Sequence, residues 1–260
     1  DALRAVQRGE GLGKLGNVAE LSGVVDDIGR LEYLLGEYDL SLATLQEALR
    51  LARDSGAHRS AAMALVNIGD TQQALGQHQS ALESYSQALD TGEQALEPRL
   101  FCCANTGMGS AYLALKDFKK ARFLLRQASY EAERLKLDYE RAMPQLYLGV
   151  LACTERDHGA AIEALTESIR LLEDTWSPGA LVKAHVYLGL ALFRSKRWAR
   201  LNQSLAALAK LVEGLDLEPE LVREAAAAPE VISYAASRRV GGRLFGRVKD
   251  ELAGQPPSPE

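Results

Sequence analysis

Five glycines, each behind a large apolar residue, keep one spacing through most of the chain. Ile28-Gly29, Ile68-Gly69, Met108-Gly109, Leu148-Gly149 and Leu188-Gly189 follow one another at 40 residues every time. A register held through four intervals is an internal repeat. A period of this size restricts the chain to stacked supersecondary units, each burying its apolar face against the next.

A second set of positions travels with the first. Twelve, sixteen and nineteen residues after the glycines stand Ser41, Leu45 and Ala48, then Ala81, Tyr85 and Ala88, then Ala121, Leu125 and Ala128. Ala161, Leu165 and Ser168 follow, and then Leu201, Leu205 and Leu208. Steps of four and three place each trio on one face of a helix. In the first four trios the order is small, large, small. Glycine and the small residues let two helix backbones approach, and the large residue fills the space between them. Leu201 and Leu208 break the order, which predicts looser packing in the fifth pair. Between the two sets lies a turn, seen in Leu35-Gly36-Glu37-Tyr38, Leu75-Gly76-Gln77-His78 and Leu115-Lys116-Asp117-Phe118. Glycine suits a helix C-terminus there, and the ring that follows is placed to pack under the next helix.

These residues resemble the tetratricopeptide repeat, with its apolar-Gly pair on a first helix and Ala, aromatic, Ala on a second. The resemblance covers about residues 17 to 215, as five repeats of 40 residues where the usual unit has about 34. The extra residues fall near Ala52–Gly56, Glu93–Pro98 and Glu133–Asp138. The implied fold is all-α, a right-handed superhelical solenoid of antiparallel helix pairs with short C-terminal capping helices. Long units of this kind look like the C-terminal arrays of large bacterial transcription regulators.

The ends depart from the register. Ala2, Val6 and Gly9 fit the second-helix pattern with a slip of one residue, so residues 1–16 read as the second helix of a truncated repeat and the chain as a fragment of a longer protein. Residues 216–252 read as capping helices, at Glu220–Ala227, Glu230–Ser237 and Gly242–Leu252, and residues 253–260 as a disordered tail.

The repeat also removes candidates for chemistry. His78 and His158 occupy the turn position shared with Tyr38, Phe118 and Trp198, so they read as packing residues. No His-x-x-x-His, Cys-x-x-Cys or Gly-x-x-x-x-Gly-Lys spacing is present, and the three cysteines, Cys102, Cys103 and Cys153, read as reduced thiols. The chain is therefore expected not to be an enzyme and to need no cofactor or metal. A net charge of -5 argues against nucleic acid and anionic membranes as direct partners. The one basic stretch, Arg238, Arg239, Arg243, Arg247 and Lys249, reads as the solvated end of the array, and the alternative is contact with nucleic acid or an acidic neighbouring domain. No apolar run is long enough to span a bilayer, and a cytoplasmic location is expected.

The resemblance implies that the first helix of each pair lines a concave, partner-binding groove. That places Asp26, Asp27, Arg30 and Tyr33 on it in the first repeat, Asn67, Asp70 and Gln73 in the second, and Ser110 in the third. Met143, Tyr147 and Val150 follow in the fourth and Tyr187, Leu190 and Phe193 in the fifth. The surface would run from acidic and polar to apolar and aromatic, matching a peptide or amphipathic helix with one basic and one apolar end. The competing reading is that Tyr147, Tyr187 and Phe193 are covered by the closing helices. The expected function is a protein- or peptide-binding scaffold or sensor within a bacterial regulator, its partner another protein, a peptide or a domain of the same protein. The alternative is a receptor for a small effector or signalling peptide held inside the superhelix.

Overall fold

The structure is a computed structural model and describes residues 18–95, 97–175, 177–213 and 228–237. The expected second helix at 1–16, the capping segments at 220–227 and 242–252 and the tail lie outside these residues.

Described helices pair in sequence order. They are α1 (Val18–Leu34) with α2 (Tyr38–Asp54), α3 (His58–Ala74) with α4 (His78–Ala95), and α5 (Pro98–Ala114) with α6 (Phe118–Arg134). Then come α7 (Asp138–Thr154) with α8 (His158–Leu172), α9 (Pro178–Arg194) with α10 (Trp198–Glu213), and a shorter α11 (Pro229–Ser237). The chain divides into two compact units, Asp1–Leu135 and Lys136–Glu260, so α1–α6 belong to the first and α7–α11 to the second. From Val18 to Trp198 a helix starts every 20 residues, so the glycine period is twice a shorter structural one.

The turns explain that shorter period. Gly36, Gly56 and Gly76 have positive φ, and so do Lys116, Lys136, Arg156 and Lys196 in the same register. Each is the left-handed residue after a helix. At Gly36, for example, the Gly36 amide donates to the Tyr33 carbonyl (2.9 Å) and the Glu37 amide to that of Glu32 (3.0 Å), which satisfies the last turn's free carbonyls. Asp117 and Asp157 then cap the next helices, their carboxylates accepting from the Lys120 and Ala160 amides at 3.1 Å. A residue with a Cβ pays a steric penalty in this conformation, whereas glycine does not. Arg156→Gly, at φ 64°, is therefore expected to raise the unfolding free energy by about 1 kcal/mol. Urea unfolding would show it, and a lowered midpoint would contradict it.

Within four pairs the glycine and the large residue meet as the pattern requires. A Cβ on Gly29 would fall 2.6 Å from Leu45 and one on Gly109 2.6 Å from Leu125; Gly69 and Gly149 stand in the same relation to Tyr85 and Leu165. Such an approach also lets the Ser41 hydroxyl donate to the Gly29 carbonyl at 2.8 Å. The fifth pair differs. A Cβ on Gly189 would meet Val231 of α11 first, at 3.1 Å. Leu201 and Leu208 are both fully buried and replace the small residues, so α9 and α10 pair less closely and α11 supplies the missing volume.

The ring that opens a second helix was expected to pack under that helix. It instead closes back over the first helix of its own pair. Tyr38 lies 5.5 Å from Tyr33, Trp198 lies 5.5 Å from Phe193, and His78 takes the same place beside Gln73 with Nδ1 3.2 Å from its Oε1. The tight three-residue turn brings position one of the new helix beside the last turn of the old one.

Candidate functional site

First helices pack on one another across repeats, α1 on α3 and α3 on α5 in the first unit and α7 on α9 in the second. No second helix meets another to that extent among the described residues. In a curved stack the crowded elements lie on the inside, so within each unit the first helices form the inner face.

In the first unit that face is a row of linked polar side chains. The Asn67 amide of α3 donates to both carboxylate oxygens of Asp26 in α1, at 2.9 Å each. Gln73 donates to the Ser110 hydroxyl and, at 3.2 Å, to the Gly107 carbonyl of α5. Tyr85 of α4 reaches between α3 and α5 and donates its hydroxyl to Asp70 at 2.6 Å. Asp27 and Arg30 are exposed and paired with each other at 3.3 Å.

The electrostatics of this row follow from its surroundings. Asp70 is exposed at the edge of the inner face, and the protein packed against its carboxylate removes part of its hydration. That loss pushes its pKa up to about 6, against the Tyr85 hydrogen bond and the Arg30 charge, both of which lower it. Asp26 is raised for the same reason, with the Asn67 amide and Arg30 opposing and Asp27 adding to the rise. Two carboxylates fixed by hydrogen bonds and sharing a single arginine favour a further cation from outside.

In the second unit the inner face is apolar. Met143, Tyr147 and Tyr187 are half-buried, with the Lys183 ammonium 5.2 Å above the Tyr147 ring and the Cys153 thiol donating to the Tyr187 carbonyl at 3.6 Å. Burial pushes the Cys153 thiol up to about 11 and His185 down to about 4, so near neutral pH the thiol stays protonated and the imidazole uncharged. Among the described residues no group of three or more metal-ligating side chains converges, and no helix is long and apolar enough to cross a membrane.

Three expected groove residues lie in the seams between helices. Ser110, Val150 and Leu190 are buried, since first helices pack on each other with these positions in the seam. Phe193 is half-buried in a ring cluster, 5.5 Å from Trp198 and 5.9 Å from Tyr234 of α11, and those two rings stack at 5.6 Å. The rest, Asp26, Asp27, Arg30, Tyr33, Asn67, Asp70, Gln73, Met143, Tyr147 and Tyr187, keep surface on the first helices. Sequence reasoning missed the role of Tyr85, read as filler alone. It is the one aromatic among the five large residues, a signal that a polar end needed a partner.

Residues 21–94 match the family model of the tetratricopeptide repeat. No curated protein sequence matches the chain significantly. Among solved structures the chain is similar to aspartyl phosphate phosphatase F from Bacillus subtilis (TM-score 0.68, 11% identity, 90% of this chain and 60% of that one). It is also similar to a Rap protein complexed with competence and sporulation factor (0.67, 18%, 92% and 66%) and to BtubC from P. vanneervenii (0.60, 15%, 78% and 85%). The chain thus spans under two thirds of the length of the phosphatase. At these identities the likeness is one of fold: a solenoid of antiparallel helix pairs like that of tetratricopeptide-repeat proteins.

Proposed function

We propose that this array of tetratricopeptide-type repeats is a protein- or peptide-binding module, and that the inner face of its first unit receives an extended segment carrying a basic residue. One observation carries the reading. Asp26 and Asp70 are held on that face by hydrogen bonds from Asn67 and Tyr85, with Arg30 the one arginine acting on both. Preorganised carboxylates of this kind gain most from a lysine or arginine that brings its own charge-assisted hydrogen bonds. The fold likeness to a Rap protein complexed with competence and sporulation factor supports the same use of the scaffold. The wider role that fits is a sensor or scaffold within a bacterial regulatory protein of the transcription-regulator type, acting in the cytoplasm.

Selection of binders from a random peptide library tests this. Enriched peptides are expected to carry Lys or Arg, and their affinity to fall about tenfold in Asp26→Asn with Asp70→Asn. Raised salt should weaken them further. Enrichment of peptides without a basic residue, or affinity unchanged in that variant, would remove the reading.

A further inference from the structure

The second helices present their outer faces at two repeating positions seven residues apart. In α2 these hold Ala43 and Arg50, in α4 Glu83 and Asp90, in α8 Glu163 and Arg170, and in α10 Gln203 and Lys210; all are exposed. In α6 alone both are aromatic. Phe123 is 61% and Tyr130 70% exposed, although the fold accepts a polar or small residue at either position in every other repeat. The rings stand two helical turns apart, about 10 Å along the axis. They border a shallow depression whose remaining walls are Lys119, Arg122, Arg126 and Gln127.

The charge is equally local. Helix α6 carries five basic residues and two acidic ones, in a chain of net charge -5. Lys120 is engaged with Asp117 at 3.4 Å and lies over the Tyr112 ring, and Arg134 pairs with Glu131; Lys119, Arg122 and Arg126 line the depression with the two rings. The second helix of the preceding repeat, α4, holds Glu83, Asp90 and Glu93 on its exposed side and no basic residue. On the side of α4 the cationic strip therefore gives way to acid. A nucleic-acid backbone or an anionic bilayer, broad and uniformly negative, would press on those acids. A single α-helix, about 10–12 Å across, would not.

We propose that the outer face of α6 is a second docking surface, separate from the inner face, for an amphipathic helix with an apolar seam flanked by Glu or Asp. The seam packs between Phe123 and Tyr130, and the flanking acids meet Lys119, Arg122 and Arg126. The occupant is named by charge complementarity and by the spacing of the rings, which is that of successive contacts between two helices packed side by side.

The test uses the whole chain and defined probes. An amphipathic peptide of about 18 residues, with Leu in the seam and Glu flanks, is titrated against it beside a Lys-flanked copy. Binding of the Glu peptide is expected, with a loss of about tenfold or more in Phe123→Ser with Tyr130→Ser. Both side chains are exposed, so the unfolding midpoint of that variant should stay in place. Lys119→Glu with Arg126→Glu should reverse the preference toward the Lys peptide. No binding of the Glu peptide, equal binding of both peptides, or binding untouched by the ring substitutions would each overturn the proposal. So would capture of anionic vesicles or single-stranded RNA through Phe123 and Tyr130 in place of the peptide.

Discussion

Replacing Tyr85 with alanine is expected to lower the unfolding free energy by about 3–5 kcal/mol, the largest loss of any single substitution considered for this chain. The ring is fully buried between two glycines from consecutive first helices. A Cβ on Gly69 would fall 2.5 Å from it, and one on Gly107 would also collide with it. One side chain therefore fills the gap inside the second repeat and the gap between the second and third. Removing it leaves a cavity lined by backbone on two sides, which collapses poorly. Tyr85→Phe separates the volume from the hydroxyl. It should lose only about 1 kcal/mol, because Asp70 can turn to solvent when its donor is gone. In hydrogen exchange the amides of α3, α4 and α5 should lose protection before those of α1, since repeat arrays couple mainly to their neighbours. A Tyr85→Ala loss no larger than that of Tyr85→Phe would show that the ring is not the keystone described.

The second large effect is a change of sign between two chemically identical substitutions. Gly149→Ala and Gly23→Ala both replace a glycine inside a helix, where alanine is intrinsically favoured by about 1 kcal/mol. At Gly149 the added methyl would collide with Leu165, which is itself fully buried and cannot retreat. The net expectation is a loss of about 1–3 kcal/mol. At Gly23 nothing lies within 4 Å of the added methyl, so the propensity stands alone and the chain gains about 0.5–1 kcal/mol. Thermal or urea unfolding of the two variants side by side decides it; destabilisation of both would show that Gly23 also serves helix pairing.

Much of this was readable before any coordinates. The pairing of Gly29 with Leu45, Gly69 with Tyr85, Gly109 with Leu125 and Gly149 with Leu165 follows from period and size alone, because two helices can approach only where one lacks a side chain. The 20-residue period was hidden. The turn residues that mark it are glycine at 36, 56 and 76 but lysine or arginine at 116, 136, 156 and 196, and a left-handed lysine leaves no trace in composition. The inner-face residues were legible as positions, whereas their partners were not. Asn67 meets Asp26 and Gln73 meets Ser110 across repeats, and those contacts depend on how far one first helix is rotated against the next.

By itself, then, the sequence determined that the chain is a stack of helix pairs and, in four of them, which residue fills the glycine gap. These are consequences of helical spacing and of the glycine gap, both local. Only the tertiary structure decided that Val231 enters the gap beside Gly189, that Phe193 packs with Trp198 and Tyr234, and that Phe123 and Tyr130 are left outside. Each of those depends on elements distant in the chain and on the surface their packing leaves over. A repeat pattern cannot carry that information, since it records what the repeats share and these are the places where they differ.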